Sequence, residues 1–362
     1  VIGDVAWYNG NSGGVTHTVA TKAPNACGLY DMSGNVWEWT QDWYSSSYYS
    51  SSPDTDPGGA TSGGTRVVRG GSWFYDPTFA RVAYRFRFYP SYRYNFSGLR
   101  LLRTIPGEYV GAHGGTMIKI DAQTFEMGCT AGMSSCALDE SPAHDVTLTN
   151  DFYIGETEVT QGEYEAMMGT NPSFFSGCGA DCPVEQVSWH MSAAFANAVS
   201  DSEGLEQCYT CTGSGTSTNC TIAAEPYSCG GYRLPTEAEW EAAARCGEDT
   251  LYAGSTVIGD VALYRFNSGL TLHTVATKAS NACGLYDMSG NLWEWTQDWY
   301  SSSSYSSSPG TDPGGATSGD YRVGRGGGWG HFPTGARVAN RNMYGPTDRF
   351  SDGGLRLLRT SP

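Results

Sequence analysis

No stretch of this 362-residue chain stays apolar long enough to span a bilayer, and no apolar heptad pattern is sustained along it. The first absence excludes a helical membrane span and the second a coiled coil. Charge is scarce at 16% of residues, and positive charge scarcer still. Lys and Arg number 21 against 37 Asp and Glu, a formal net charge of −16 at pH 7. That balance excludes binding of nucleic-acid phosphates through bulk charge. No glycine-rich loop links a strand to a helix in the manner of a phosphate cradle. His17, His190 and His273 lack a nearby Cys or Ser in a nucleophile pattern. Gly, Ser, Thr, Tyr and Trp are abundant instead. Strand-like runs such as Thr65–Arg69 and Thr116–Ile120 alternate with Gly-, Ser- and Pro-rich turns, which predicts an irregular, loop-rich α+β fold.

The chain carries 11 cysteines in close spacings, Cys129/Cys136, Cys178/Cys182 and Cys208/Cys211/Cys220/Cys229 among them. Such spacing predicts disulfides and an oxidising compartment. Four thiolates at Cys208, Cys211, Cys220 and Cys229 are also enough to close a tetrahedral zinc site, which stands as the rival reading. Between them, Thr212–Asn219 is rich in Ser, Thr and Gly, as in a stapled surface loop.

Residues 1–106 and 257–362 are one segment written twice: 76 of 106 positions are identical at an offset of 256. The differences cluster. From His17 to Gly63 only 4 of 47 positions differ, whereas from Gly64 to Ser97 the count is 19 of 34 and from Trp7 to Thr16 it is 6 of 10. Drift would spread changes over all exposed positions, so the clustering predicts a recognition surface rewritten on a constant frame.

Residues 107–362 read as one complete domain. Thr160-Gln-Gly-Glu163 and Thr236-Glu-Ala-Glu239 have capping-box spacing, the second opening a helix to about Arg245, and Ser188 is placed to cap an apolar helix through Ala198. Glu237, Glu239 and Glu241 lie around the start of that helix, where carboxylates complement its dipole, and no catalytic use is expected of them. Residues 1–106 have no counterpart of 107–256, so they are expected to be the C-terminal half of a repeated domain. The missing half would lie upstream or come from another molecule. Ten cysteines fall in 107–362, leaving Cys27 alone; its copy Cys283 is expected to bond Cys246.

The run Gly28-Leu-Tyr-Asp-Met-Ser-Gly-Asn-Val-Trp-Glu-Trp39, repeated at Gly284–Trp295, resembles the signature of the formylglycine-generating enzyme, or sulfatase-modifying factor, family. Phe125-Glu-Met-Gly128, Glu158-Val-Thr-Gln161, Arg233-Leu-Pro-Thr-Glu-Ala-Glu-Trp240, Arg325-Gly-Gly-Gly-Trp329 and Gly354-Leu-Arg-Leu follow in family order. The resemblance implies a C-type-lectin-like fold. The family's enzymes use two active-site cysteines shortly after Arg-Gly-Gly-Ser-Trp. Here Phe74–Ala80 and Gly330–Ala336 contain none, and Tyr75 and His331 cannot replace a soft sulfur ligand, so neither copper nor oxidase activity is expected. Arg69–Leu101 and Arg325–Leu357 resemble the variable region of diversity-generating retroelement proteins, in which rewritten adenine codons exchange residues such as Asn, Asp, Ser, Gly, Tyr, Phe and His. The pairs Phe74/Gly330, Tyr75/His331, Phe79/Gly335, Tyr84/Asn340 and Phe86/Asn342 fall in that set; Arg87/Met343 departs from it.

Two sites follow. The ligand-binding residues are expected to be Tyr75, Phe79, Tyr84, Phe86, Phe88, Tyr89 and Tyr92 in the first segment, because large rings on a Gly/Ser background suit a paratope-like surface. In the second they are His331, Phe332, Asn340, Asn342, Tyr344, Asp348 and Phe350. The invariant Trp37, Trp39, Trp43, Trp73, Trp293, Trp295, Trp299 and Trp329 are expected in the core. By the resemblance, Asp31, Gly34, Val36 and Glu38, and Asp287, Gly290, Leu292 and Glu294, match a calcium position, with a hydrogen-bonded acidic turn as the alternative. The resulting expectation is a non-catalytic protein, secreted or at the cell surface, binding a protein or glycan ligand. The alternative is a structural subunit that self-associates into an extracellular filament or surface layer.

Overall fold

The computed structural model describes residues 1–25, 29–50, 52–53, 57–100, 108–131, 133 and 136–361. The chain divides into two compact units, Val1–Thr104 and Ile105–Pro362. Cys27 and the expected 106/107 boundary lie outside the described residues.

In the second unit, Thr116–Ile120 joins a five-stranded sheet in the order Tyr232–Arg233, Leu358–Thr360, Phe152–Gly155, Thr116–Ile120, Tyr109–Val110. Alternation along Thr116–Ile120 sends Met117 to one face and Ile118 and Ile120 to the other, so the sheet has a core on each side. One side packs the helices Gln161–Met168 and Trp189–Ser202, the other the helix Glu237–Arg245.

Each helix starts where the sequence places it. Thr160 accepts from the Glu163 amide at 3.2 Å while the Glu163 carboxylate accepts from the Thr160 amide at 2.7 Å. Thr236 and Glu239 repeat the exchange at 3.2 and 2.8 Å, and Ser188 accepts from the Met191 amide at 3.2 Å. The helix capped by Ser188 runs to Ser202, one turn beyond the expected Ala198.

Glu237, Glu239 and Glu241 do more than complement a dipole. All three are buried and paired with guanidinium groups: Glu239 with Arg233 at 2.7 Å, Glu237 with Arg341 at 2.6 Å, and Glu241 with Arg245 at 2.8 Å and with Arg325. Glu140 holds Arg337 in the same way, through two bonds of 2.6 Å. Three of them, Glu237–Arg341, Glu241–Arg325 and Glu140–Arg337, tie the part of the unit before residue 257 to the part after it. Removing one partner of such a pair strands a buried charge.

The repeated segment forms the same four-stranded sheet in both units. Its order is Phe86–Phe88, Arg66–Arg69, Trp37–Trp43, Ser97–Gly98 in the first and Asn342–Tyr344, Arg322–Arg325, Trp293–Trp299, Gly353–Gly354 in the second. The register is shared as well, with Glu38 opposite Arg69 and Glu294 opposite Arg325.

The ten described cysteines pair as Cys129–Cys136, Cys178–Cys182, Cys208–Cys229, Cys211–Cys220 and Cys246–Cys283. The four-cysteine cluster therefore resolves into two disulfides, and the zinc reading is corrected: Cys211 and Cys220 face each other across the hairpin Tyr209–Thr212/Asn219–Ile222. Such a framework is usual in proteins that mature in an oxidising compartment. No helix among the described residues is long and apolar enough to cross a membrane.

Candidate ligand-binding face

The strand Trp293–Trp299 positions the second unit's face. Trp293 and Trp295 are buried, and the rewritten residues sit over them. His331 stands edge-on to Trp293 with ring centroids 5.3 Å apart, and Tyr344 meets both Trp293 and Trp295 at 5.9 Å. Phe350 lies 4.4 Å from Tyr344 and 5.8 Å from Trp295. Polar contacts fix this layer. His331 Nε2 lies 3.0 Å from an Asp352 carboxylate oxygen, and Asn342 donates to the Tyr344 hydroxyl at 2.8 Å. Burial pushes the Tyr344 phenol well up, so the hydroxyl stays protonated. Phe332 and Asp348 are exposed, and Asp348 accepts from the Gly345 amide at 2.8 Å.

Asn340 departs from the group. Its side chain donates to Glu140 at 2.9 Å, beside Arg337, and its carbonyl accepts from Arg325. It serves the buried ion pairs. His331, Asn342, Tyr344 and Phe350 gather in one layer over Trp293 and Trp295.

In the first unit the same positions carry rings, and most of them are roof rather than free surface. Trp37 is 0% exposed beneath Tyr75, Phe79, Tyr84, Phe86 and Phe88, all within 6.4 Å between centroids. Sequence reasoning favoured contact over core here. The structure corrects this for Phe88, which is buried; Tyr75, Phe79, Tyr84 and Phe86 are half-buried, and Tyr89 and Tyr92 are exposed. Of the tryptophans expected in the core, Trp37, Trp73, Trp293 and Trp295 are buried, while Trp39, Trp43, Trp299 and Trp329 are half-buried. The Nε1 atoms of Trp37 and Trp293 are buried with no hydrogen-bond partner.

Sequence reasoning missed one part of the face, although its signal was present. The second divergent stretch, Leu263–Leu272, comes to lie against the first. Arg265 donates its amide to the His331 carbonyl at 3.0 Å, its guanidinium lies 5.2 Å from the Phe332 ring, and Phe266 meets Phe332 at 5.8 Å. Phe266 and Phe332 are 67% and 57% exposed, an apolar pair that the fold does not bury. The frame beneath is sterically tight. Gly290 has φ +86°, and a Cβ there would stand 2.3 Å from the Leu263 carbonyl oxygen, so the turn that brings Leu263–Leu272 in requires glycine.

Of the residues named for calcium, the two glutamates are already paired with arginine, whereas the two aspartates each keep a buried oxygen without a partner. Arg356 donates to both Glu294 oxygens at 2.6 to 3.1 Å, and Trp240 Nε1 adds a bond of 2.8 Å. A buried guanidinium already supplies the positive charge. Asp287 accepts from the Ala276 amide at 2.7 Å through one oxygen and keeps the other buried and unpartnered. In the first unit Arg100 holds Glu38 at 2.7 Å, and Asp31 keeps one such oxygen as well.

The sulfatase-modifying factor enzyme 1-like domain family matches residues 3–105 and 109–361. A chaperone protein LppX of Paenibacillus barcinonensis is 32% identical over 276 residues, covering 68% of this chain and 92% of the relative. The formylglycine-generating enzyme of Streptomyces coelicolor is 45% identical over 73 residues, which span 19% of this chain and 23% of the enzyme. Among solved structures, Treponema denticola variable protein 1 aligns with a TM-score of 0.61 and 33% identity, over 70% of this chain and 99% of that one. Its fold is the C-type-lectin-like α+β arrangement described above, and the chain belongs to the sulfatase-modifying factor enzyme 1-like domain family.

Proposed function

We propose that the second unit is a non-catalytic display domain, secreted or held at the cell surface. A protein or glycan ligand docks on His331, Asn342 and Asp348 above the Tyr344/Phe350 ring layer, extended by Arg265, Phe266 and Phe332. One observation carries the reading: the two stretches in which the copies diverge meet in space at Arg265, His331 and Phe332. Exposed rings, a cation and amides on a sterically tight frame form a surface of the antibody type, in which aromatic anchors bury area at low entropic cost. The likeness to Treponema denticola variable protein 1 supports the same reading, as does the exchange of adenine-accessible residue types between the copies.

The test is a screen of the full chain against glycan and extracellular-protein arrays, followed by substitution. Binding that falls about thirtyfold or more with Phe332→Ala or Arg265→Ala, a loss of hot-spot size, and persists with Glu206→Ala, supports the face. Binding indifferent to both changes would sink it. The same preparation, given copper and a sulfatase-derived cysteine peptide, is expected to leave the cysteine unoxidised.

A further inference from the structure

The heptapeptide Trp-Glu-Trp-Thr-Gln-Asp-Trp occurs as the strand Trp37–Trp43 and again as Trp293–Trp299. In the second unit all but the last residue are buried; in the first only Trp37 is. Identical sequence in identical sheets has two environments, so the difference lies in what covers them.

In the second unit the cover is drawn from residues 107–256, and its contacts are specific. Trp189 Nε1 donates to the Thr296 carbonyl at 2.9 Å, and Trp240 Nε1 to Glu294 at 2.8 Å. The Glu237 amide donates to Asp298 at 2.7 Å, and the Tyr209 hydroxyl to Gln297 at 2.9 Å. Glu158 accepts from the Asn291 side chain at 2.8 Å and the Leu292 amide at 2.9 Å. Where Asn35 and Val36 occupy the equivalent positions in the first unit, a cleft of about 400 Å³ is open instead, lined also by Asp31, Glu38 and Arg100.

Charge tells the same story. Arg325, Arg337 and Arg341 are buried against Glu241, Glu140 and Glu237. Their counterparts Arg69, Arg81 and Arg85 persist in the first unit, yet none pairs with a carboxylate among the described residues. Arg69 donates to the Tyr84 carbonyl, Arg81 to the Thr78 carbonyl, and Arg85 lies over the Tyr44 and Tyr49 rings. Residues 107–256 hold 22 Asp and Glu against 3 Lys and Arg, whereas residues 1–106 hold 7 against 9. Potentials this complementary steer association and fix register.

We infer that the face of the first unit built on Trp37–Trp43, Arg69, Arg81 and Arg85 is a docking surface for a polypeptide of the 107–256 kind. That partner is acidic, presents a helix with glutamates at the Glu237 and Glu241 positions, and is not engaged with a C-terminal half of its own. A second whole copy does not meet the last condition, because its residues 107–256 are already spent on its own 257–362.

The experiment fuses an additional copy of residues 107–256 ahead of Val1 in the full chain and follows amide exchange of Trp37–Trp43, separable from Trp293–Trp299 through Val36 against Leu292. Exchange is expected to slow by about tenfold or more, toward the rate of the covered strand. The gain is expected to be lost when the added copy alone carries Glu237→Gln and Glu241→Gln, or when the first unit carries Arg85→Ala. Unchanged exchange in a fusion whose added segment is protease-resistant overturns the inference. So does a gain that survives both sets of changes, or a parent chain that covers this strand by dimerising in sedimentation.

Discussion

Tyr344 and Phe350 face each other at 4.4 Å between ring centroids, and both rest on Trp295. The rewritten face thus has two layers, rings that seal the frame and side chains that stand above it. Truncating the lower layer is a stability event, and truncating the upper one is a binding event.

Tyr344→Ala is accordingly expected to cost about 2–4 kcal/mol, toward the lower end of large-to-small core changes because the ring is half-buried. Phe332→Ala is expected to stay within about 0.5 kcal/mol, as at an exposed site. Chemical denaturation of both proteins measures the difference; equal costs would mean that the layering is wrong.

Because Arg356 saturates Glu294, Glu294→Gln is expected to cost about 3–5 kcal/mol by leaving a buried guanidinium unpaired. Chelator is expected to leave the melting temperature unchanged. A clear drop on chelation would place a cation at the free oxygen of Asp287, since an ion bound only to the folded state stabilises it by mass action.

Glu185 gives the pH dependence a sign. It is buried, one oxygen accepts from the Phe175 amide at 2.7 Å, the other is unpartnered, and burial raises its pKa from the ordinary 4.5 to about 7. Between those values the folded state holds a proton that the unfolded state has lost, so this group's contribution falls as pH rises from about 4.5 to about 7. Glu185→Gln is expected to melt higher than the parent at pH 8 and close to it at pH 4. A parallel pair of melting curves across that range would refute the assignment.

Thiol titration of the unreduced, denatured chain is expected to find none of the ten described cysteines reactive, because all of them are paired. Four reactive thiols among them, with bound zinc, would restore the tetrahedral site at Cys208–Cys229.

Much of this was legible beforehand because local chemistry decides it. Capping at Thr160, Ser188 and Thr236 depends on residues within one turn, and three of the five disulfides followed from spacing and copy arithmetic. The Arg325–Glu241 and Arg337–Glu140 pairs were not legible, because nothing in a sequence says which distant carboxylate a guanidinium will find. For the same reason Asn340 was misassigned to the face. The contribution of Arg265 and Phe266 was legible in principle, since their stretch diverges between copies, but only the fold shows that it touches His331 and Phe332.

The open strand face of the first unit has a colloidal consequence. Trp39 and Trp43, half-buried, leave part of their apolar rings at the surface, and such surface favours weak, non-specific association distinct from a defined dimer. The net charge of −16 opposes it by making whole molecules repel. That repulsion is screened by salt while the attraction between apolar surfaces is not, so the chain should remain dispersed in dilute buffer and begin to cluster as ionic strength rises. This is the reverse of a protein held together by ion pairs.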